Sequence, residues 1–174
     1  MNTLTPDEWF PIVDEDGNEI SRAPRSVCHD GKSRLLHPVV HMHLFNSEGD
    51  LFLQKRAITK DLLPGYWDTS VGGHMSPGES PYEALQRETM EELGLKEFIC
   101  IFIKKYIWES PREKELVYSF KGLSENHPVI NKDEIDDGRF WSIGEIRKNL
   151  DKNVFTPNFE HEFKMLNEIL KNLR

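Results

Sequence analysis

Apolar and polar positions alternate along 36–45, with His37, Val39, His41, His43 and Phe45 on one side and Val40, Met42 and Leu44 on the other. That period, in a run rich in β-branched residues, predicts a long strand. Turn residues fill 46–50 and the chain returns as a second strand over 51–56. Further strands are predicted at 66–71, after Pro64-Gly65, at 98–109 and 115–121, joined through Ser110-Pro111, and at 139–141. Near the start, 9–13 and 19–21 flank Asp14-Glu15-Asp16-Gly17-Asn18, which predicts a hairpin, and a basic stretch at 22–34 holds Cys28 and His29.

Helical spacing takes over in three places. Over 81–93, Tyr82, Leu85, Thr89 and Leu93 share a face that can pack on a sheet. Ser80 stands at the N-cap, Pro81 at the first helical position, Glu83 closes a capping box and Gly94 fits a C-cap. Ser142 with Glu145 repeats the capping box before a second helix. Thr156-Pro157 opens a last one, with a core-facing stripe of Phe159, Phe163, Leu166, Leu170 and Leu173. No repeat or linker interrupts the 174 residues, whose 37% hydrophobic content suffices for one core. One α/β domain over 1–174 is expected, with 1–34 a hairpin and extension and 156–174 the closing helix.

Charge and cysteines narrow the function. A net charge of -8 excludes nonspecific binding to a nucleic acid polymer but suits a small phosphorylated substrate that brings its own cations. Cys28 and Cys100 are too few for a disulfide framework. No apolar run approaches the ~18 residues of a membrane span, so a cytoplasmic protein without a membrane partner is expected, with a homodimer left open.

The chemistry is concentrated between Gly73 and Leu95. Glu88, Glu91 and Glu92 fall on one side of the 81–93 helix, away from the packing face. Three such carboxylates repel one another unless a cation sits among them, and an all-oxygen set suits Mg²⁺ or Mn²⁺. Arg87, four residues before Glu91 and eight after Glu79, is placed to pin the acids. A solvated acidic face is the competing reading.

Gly73, five residues, Glu79, seven residues and Arg87-Glu88-x-x-Glu91-Glu92-x-Gly94-Leu95 resembles the Nudix box. Only Thr89, where the family has an aliphatic residue, departs from it. The resemblance implies an α/β/α sandwich with a mixed central sheet. It also implies a hydrolase that cleaves a diphosphate joined to another group, with metal on Glu88, Glu91, Glu92 and a carbonyl near Gly73.

Leu35-Leu36-His37, Leu44-Phe45-Asn46, Gln54-Lys55-Arg56-Ala57, Thr59-Lys60, Pro64-Gly65-Tyr66-Trp67 and 70–74 are also similar to type 1 isopentenyl diphosphate isomerase, a branch of the same superfamily. That similarity implies a second metal site at His29, His37, His74, Glu113 and Glu115, and diphosphate contacts from Arg56 and Lys60. It also places Gly72 where the isomerase has its proton-moving thiol and Asn153 where it has a shielding aromatic residue, while the acids degraded in bacterial isomerases are complete here. Hydrolysis of a phosphoanhydride, in a nucleoside diphosphate linked to another moiety or a similar small diphosphate, is therefore expected, with Glu88, Glu92, Arg87 and Glu115 as the catalytic set. Candidates for the general base are Glu88, Glu115 and Glu134. The isomerase and a non-catalytic nucleotide sensor are the alternatives. Cys28 is the one substitute thiol, and Trp67, Tyr106, Trp108 and Trp141 either stack a base or belong to the core.

Overall fold

The structure is a computed structural model and describes residues 7–172, the side chains of 168–172 excepted. Strands β1 (Trp9–Val13) and β2 (Glu19–Pro24) form the expected hairpin as a separate two-stranded sheet. A four-residue helix, α1 (Arg25–Cys28), follows. The basic stretch gave no helical period from which to foresee it. Next come β3 (Leu36–Phe45), β4 (Leu51–Arg56), β5 (Trp67–Asp68) and β6 (Val71–His74). The single strand expected at 66–71 is thus two short ones, and the second carries the chain through Gly72 and Gly73, residues with little strand preference of their own.

Helix α2 (Pro81–Leu93) has the predicted ends: Ser80 and Glu83 exchange both capping-box hydrogen bonds, and Gly94 closes it at φ 63°, a left-handed conformation that costs glycine little. Strands β7 (Ile99–Glu109) and β8 (Lys114–Leu123) pair antiparallel. Strand β9 (Ile135–Trp141) runs longer than the expected 139–141, and helices α3 (Ile143–Asn149) and α4 (Pro157–Asn172) end the chain.

The main sheet has the order β5-β4-β3-β8-β7, with β6 added on β3 and β9 on β4. It is mixed, because β3 and β8 run parallel along their whole length while β3 and β6 are antiparallel. The alternation in β3 sorts its side chains between two layers. Val40, Met42 and Leu44 join Leu85 and Leu93 of α2 in one apolar cluster. Phe45 joins Phe155, Phe159 and Phe163 in another, against α3 and α4. This is the α/β/α sandwich. The stripe of α4 is buried at Phe159, Phe163 and Leu166, while the predicted Leu170 and Leu173 side chains lie outside the described residues.

Two details of α2 differ from the helical-wheel reading. Tyr82 is 52% exposed and Ala84 is buried in the packing face instead. Glu92 is only 6% exposed, so the acids do not share one outward face. The register explains this, because Glu92 borders Thr89 and Leu93 on the wheel and is carried under the sheet with them.

Strands β3 and β4 pair only at Phe45 and Leu51 before they diverge. Ser70 bridges them beyond that point: its Oγ accepts from the Leu44 amide at 2.8 Å and donates to the Phe52 carbonyl. This opening, with β6 on one side and β4 on the other, positions the site.

Candidate active site

A cavity of about 850 Å³ opens between β3, β4, β6 and α2. Arg56, Lys60, Gly73, Glu88, Glu91 and Glu92 line it, as do His29, His74, Glu113 and Glu115. His37 does not line it directly. Residues scattered over 29–115 of the chain thus meet in one place.

Arg87 organises the acid end. Its Nε and Nη2 each donate to a different oxygen of Glu79 at 2.9 Å, Nη1 donates to Glu88 Oε1 at 2.7 Å, and Nη2 also donates to the His74 carbonyl at 2.9 Å. A planar fork can do this and a lysine cannot. Glu91, half exposed, is 3.4 Å from the same Nη1. Arg87 therefore ties the loop before α2 to its acids.

Glu88 lies against Gly73, where a Cβ would overlap its carboxyl group. Burial, with Glu91 and Glu134 nearby, pushes its pKa up to about 7 against the opposing effect of Arg87. Glu92 turns inward: its Oε2 accepts from the Gly72 amide and from Gln54 Nε2, each at 3.1 Å. Burial first and the Glu88 charge second raise it to about 8.

The second end is rich in histidine. Ligand atoms of His29, His37, His74 and Glu113 all lie within 4.8 Å of one another, the one such set among the described residues. Glu115, expected with them, is not in that set, although it is buried opposite His37 in the β3–β8 ladder and lines the same cavity; burial first and the Glu113 charge second raise it to about 8. His29 Nε2 is 3.2 Å from His74 Nε2 and 3.1 Å from Glu113 Oε2. Burial lowers the pKa of all three histidines, His29 to about 4, so they are neutral ligands at pH 7. His37 Nδ1 is 3.0 Å from the Leu35 carbonyl, which leaves its buried Nε2 without a partner. Phe10 of the hairpin stacks on His74 at 4.1 Å and closes that side. An orphaned imidazole nitrogen among two more imidazoles and a carboxylate fits a divalent transition cation.

Arg56 and Lys60 face the cavity, Arg56 held by Asp68 at 3.2 Å and the Leu62 carbonyl at 3.0 Å, Lys60 3.8 Å from Glu134. None of Trp67, Tyr106, Trp108 and Trp141 lines it; Trp67 and Trp141 pack together in the α4 layer. Cys28 is fully buried with Phe10, Ile12 and Ala23, its thiol pushed up to about 11 chiefly by burial, so it is no substitute for the missing thiol. Asn153 lies outside the cavity. His41 is the residue that sequence spacing missed. Its ring stands beside Gly72, where no other functional group was foreseen, and its Nδ1 is 2.8 Å from Glu162 Oε2.

The sandwich and its loop-helix motif define a Nudix-type α/β protein. The chain belongs to the NUDIX domain family, whose model matches residues 35–161. Within that family it is similar to the isopentenyl-diphosphate Delta-isomerase of Streptomyces griseus, at 31% identity over 154 residues, 85% of this chain and 78% of that one. It is also similar to an uncharacterized Nudix hydrolase of Pseudomonas aeruginosa, at 29% identity over 133 residues, 76% of this chain and 78% of that one. The crystal structure of DR0079 from Deinococcus radiodurans shares the fold with a TM-score of 0.77, at 22% identity, covering 91% of this chain and 98% of that one. Among the described residues no helix is long and apolar enough to cross a membrane.

Proposed function

We propose that the protein is a metal-dependent pyrophosphohydrolase acting on a small diphosphate, of which a nucleoside diphosphate linked to a second moiety is the leading class. The observation that carries this reading is the complete acid set of α2, Glu88, Glu91 and Glu92, lining the same cavity as Gly72.

Mg²⁺ or Mn²⁺ would be held by Glu88, Glu91, Glu92 and the Gly73 carbonyl, with His29, His37, His74 and Glu113 offering a second place better suited to Mn²⁺. Such a cation, when bound, supplies charge neutralisation on the phosphates and a more acidic water. Arg56 and Lys60 hold the substrate's phosphates. Arg87 keeps Glu88 aimed into the cavity through the 2.7 Å bond to Oε1. Glu88 is the leading general base: its carboxyl reaches the cavity, and burial holds its pKa above the ordinary carboxylate range in the metal-free chain. Glu115 and Glu134 follow, Glu134 also being engaged by Lys60.

Isomerisation, the activity in the Streptomyces relative's name, is the second reading. It needs an acid and a base on opposite faces of an alkene. The thiol that this chemistry uses is absent at Gly72, Cys28 is in the core, and no aromatic side chain other than the histidines lines the cavity among the described residues. A panel of nucleoside diphosphates, nucleotide sugars, ADP-ribose, dinucleotides and prenyl diphosphates, assayed for phosphate products with Mg²⁺ and Mn²⁺, tests the proposal. Cleavage of at least one phosphoanhydride is the expected result. Deuterium exchange from solvent into isopentenyl diphosphate, followed by NMR, would overturn it in favour of the isomerase.

A further inference from the structure

Glu162 of α4 has no part in the chemistry above, yet it is 0% exposed. A buried carboxylate is costly unless a cation meets it. Its Oε2 lies 2.8 Å from His41 Nδ1 and 3.3 Å from His43 Nε2. Of the two rings only His41 also lines the cavity. With Nδ1–H committed to Glu162, the free end of the His41 ring is Nε2, and this end stands at Gly72. A Cβ there would meet His41 Cδ2 at 3.5 Å and Nε2 at 3.6 Å. Burial works against the imidazolium, but the charge and hydrogen bond of Glu162, with Glu115 and Asp68 adding to it, carry its pKa up to about 9. At neutral pH, Nε2 therefore carries a proton and donates.

The surroundings agree in character. Gln54, Asp68, Thr69 and Glu115 line the same cavity, and Val39 and Leu62 are the only apolar side chains of its lining among the described residues. A hydrocarbon chain placed here would take water from a charged donor and return no hydrogen bond. Gly72 adjoins Gly73, against which Glu88 lies, so one residue of backbone separates the acid end from His41.

We infer that His41, oriented by Glu162, contacts the group attached to the diphosphate and selects a polar one, so that the substrates are diphosphates of hydroxyl- or carbonyl-bearing groups, as in nucleotide sugars, and not alkenyl diphosphates. This rests on the reading of the cavity as a diphosphate site. The discrimination is of the strong kind, because a site built to hydrogen-bond a substrate rejects the analogue that cannot do so far better than an apolar pocket rejects a polar one.

The test is calorimetric binding of UDP-glucose, ADP-ribose and isopentenyl diphosphate to the full chain, with Ca²⁺ in place of Mg²⁺. The wild type should bind the better of the two polar probes at least about tenfold more tightly than isopentenyl diphosphate. His41→Phe should abolish that preference by weakening the polar probes alone, whereas His41→Gln, whose amide nitrogen replaces Nε2, should keep most of it. Glu162→Gln, a change at a positioning residue, should lower polar-probe affinity several-fold and leave isopentenyl diphosphate unmoved, a pattern that loss of structure alone would not give. Equal wild-type affinity for all three probes, or equal weakening of all three in both Glu162→Gln and His41→Phe, overturns the inference. If His41→Phe does not fold, the Gln variants at 41 and 162 decide the matter by the same ratio. Hydrolysis to the two phosphomonoesters is measured separately with Mg²⁺: polar preference without turnover supports the role of His41 and defeats the hydrolase reading alone.

Discussion

Glu92 and Thr89 are neighbours on α2 that bury polar groups for different ends. Glu92 has partners for one oxygen in Gly72 and Gln54, and the residue lines the cavity. Glu92→Gln keeps shape and removes the charge, so activity should fall by about two or more orders of magnitude while the chain still folds. Turnover equal to wild type at saturating Mg²⁺ would remove Glu92 from the catalytic set. Thr89 is fully buried, and its Oγ1 has no hydrogen-bond partner. Thr89→Val fills the same volume without the stranded hydroxyl. It should stabilise the fold by about 1 kcal/mol, read as a rise of ~2–4 °C in melting temperature. A fall would mean that the hydroxyl bonds in solution. Leucine there would add volume to a filled site and risks strain. The family's aliphatic preference identified this position from sequence, but only burial and the missing partner give the sign for valine.

The contact of β6 with α2 is the element on which the acid end depends. Gly73 leaves room for the Glu88 carboxyl, so Gly73→Ala should push Glu88 away from the backbone and lower kcat by tenfold or more, with KM for the diphosphate less affected. A kcat within twofold of wild type would show that Glu88 does not depend on this approach. Helix α2 was legible to the residue because its signals are local: a capping box, a proline and a glycine within fifteen positions. Strand β6 was misplaced because two glycines carry no strand preference, and its existence depends on pairing with β3. The helix α1 and the inward turn of Glu92 likewise follow from packing. The pairing of His41 with Glu162 spans 121 residues, a separation at which no spacing rule operates. The histidine cluster became legible only through family resemblance, since His29, His37, His74 and Glu113 come from four separate pieces of chain.

Taken as a whole, the molecule holds several ionisable groups in states they would not choose in water, and this sets its response to pH and metal. Glu92 and Glu115 are raised to about 8 and Glu88 to about 7, in each case chiefly by burial, from an ordinary value of 4.5. Above pH 4.5 the folded chain therefore holds protons that the unfolded chain has lost, so these groups destabilise the fold progressively as pH rises towards 8. His41 adds to the trend. Its pKa is raised from 6.5 to about 9, so the stability it gains from Glu162 is full below 6.5 and is lost as pH climbs to 9. His29, His37 and His74 act in the opposite sense. Their lowered values mean that the unfolded chain binds more protons below 6.5, so stability rises with pH there. Above 6.5 that opposing contribution is spent. The metal-free protein should thus lose ~5 °C or more in melting temperature between pH 6.5 and 8.5, measured in a chelator. Mn²⁺ should reduce that slope, because it replaces the protons on Glu88 and Glu92 and gains affinity as they ionise, while the His41 and Glu115 portions remain. Glu92→Gln should flatten the chelator curve without removing the His41 portion above pH 7. A metal-free melting temperature that is level or rising across this window would mean that the acids already ionise freely, and the buried cavity charge would then need no cation to hold it.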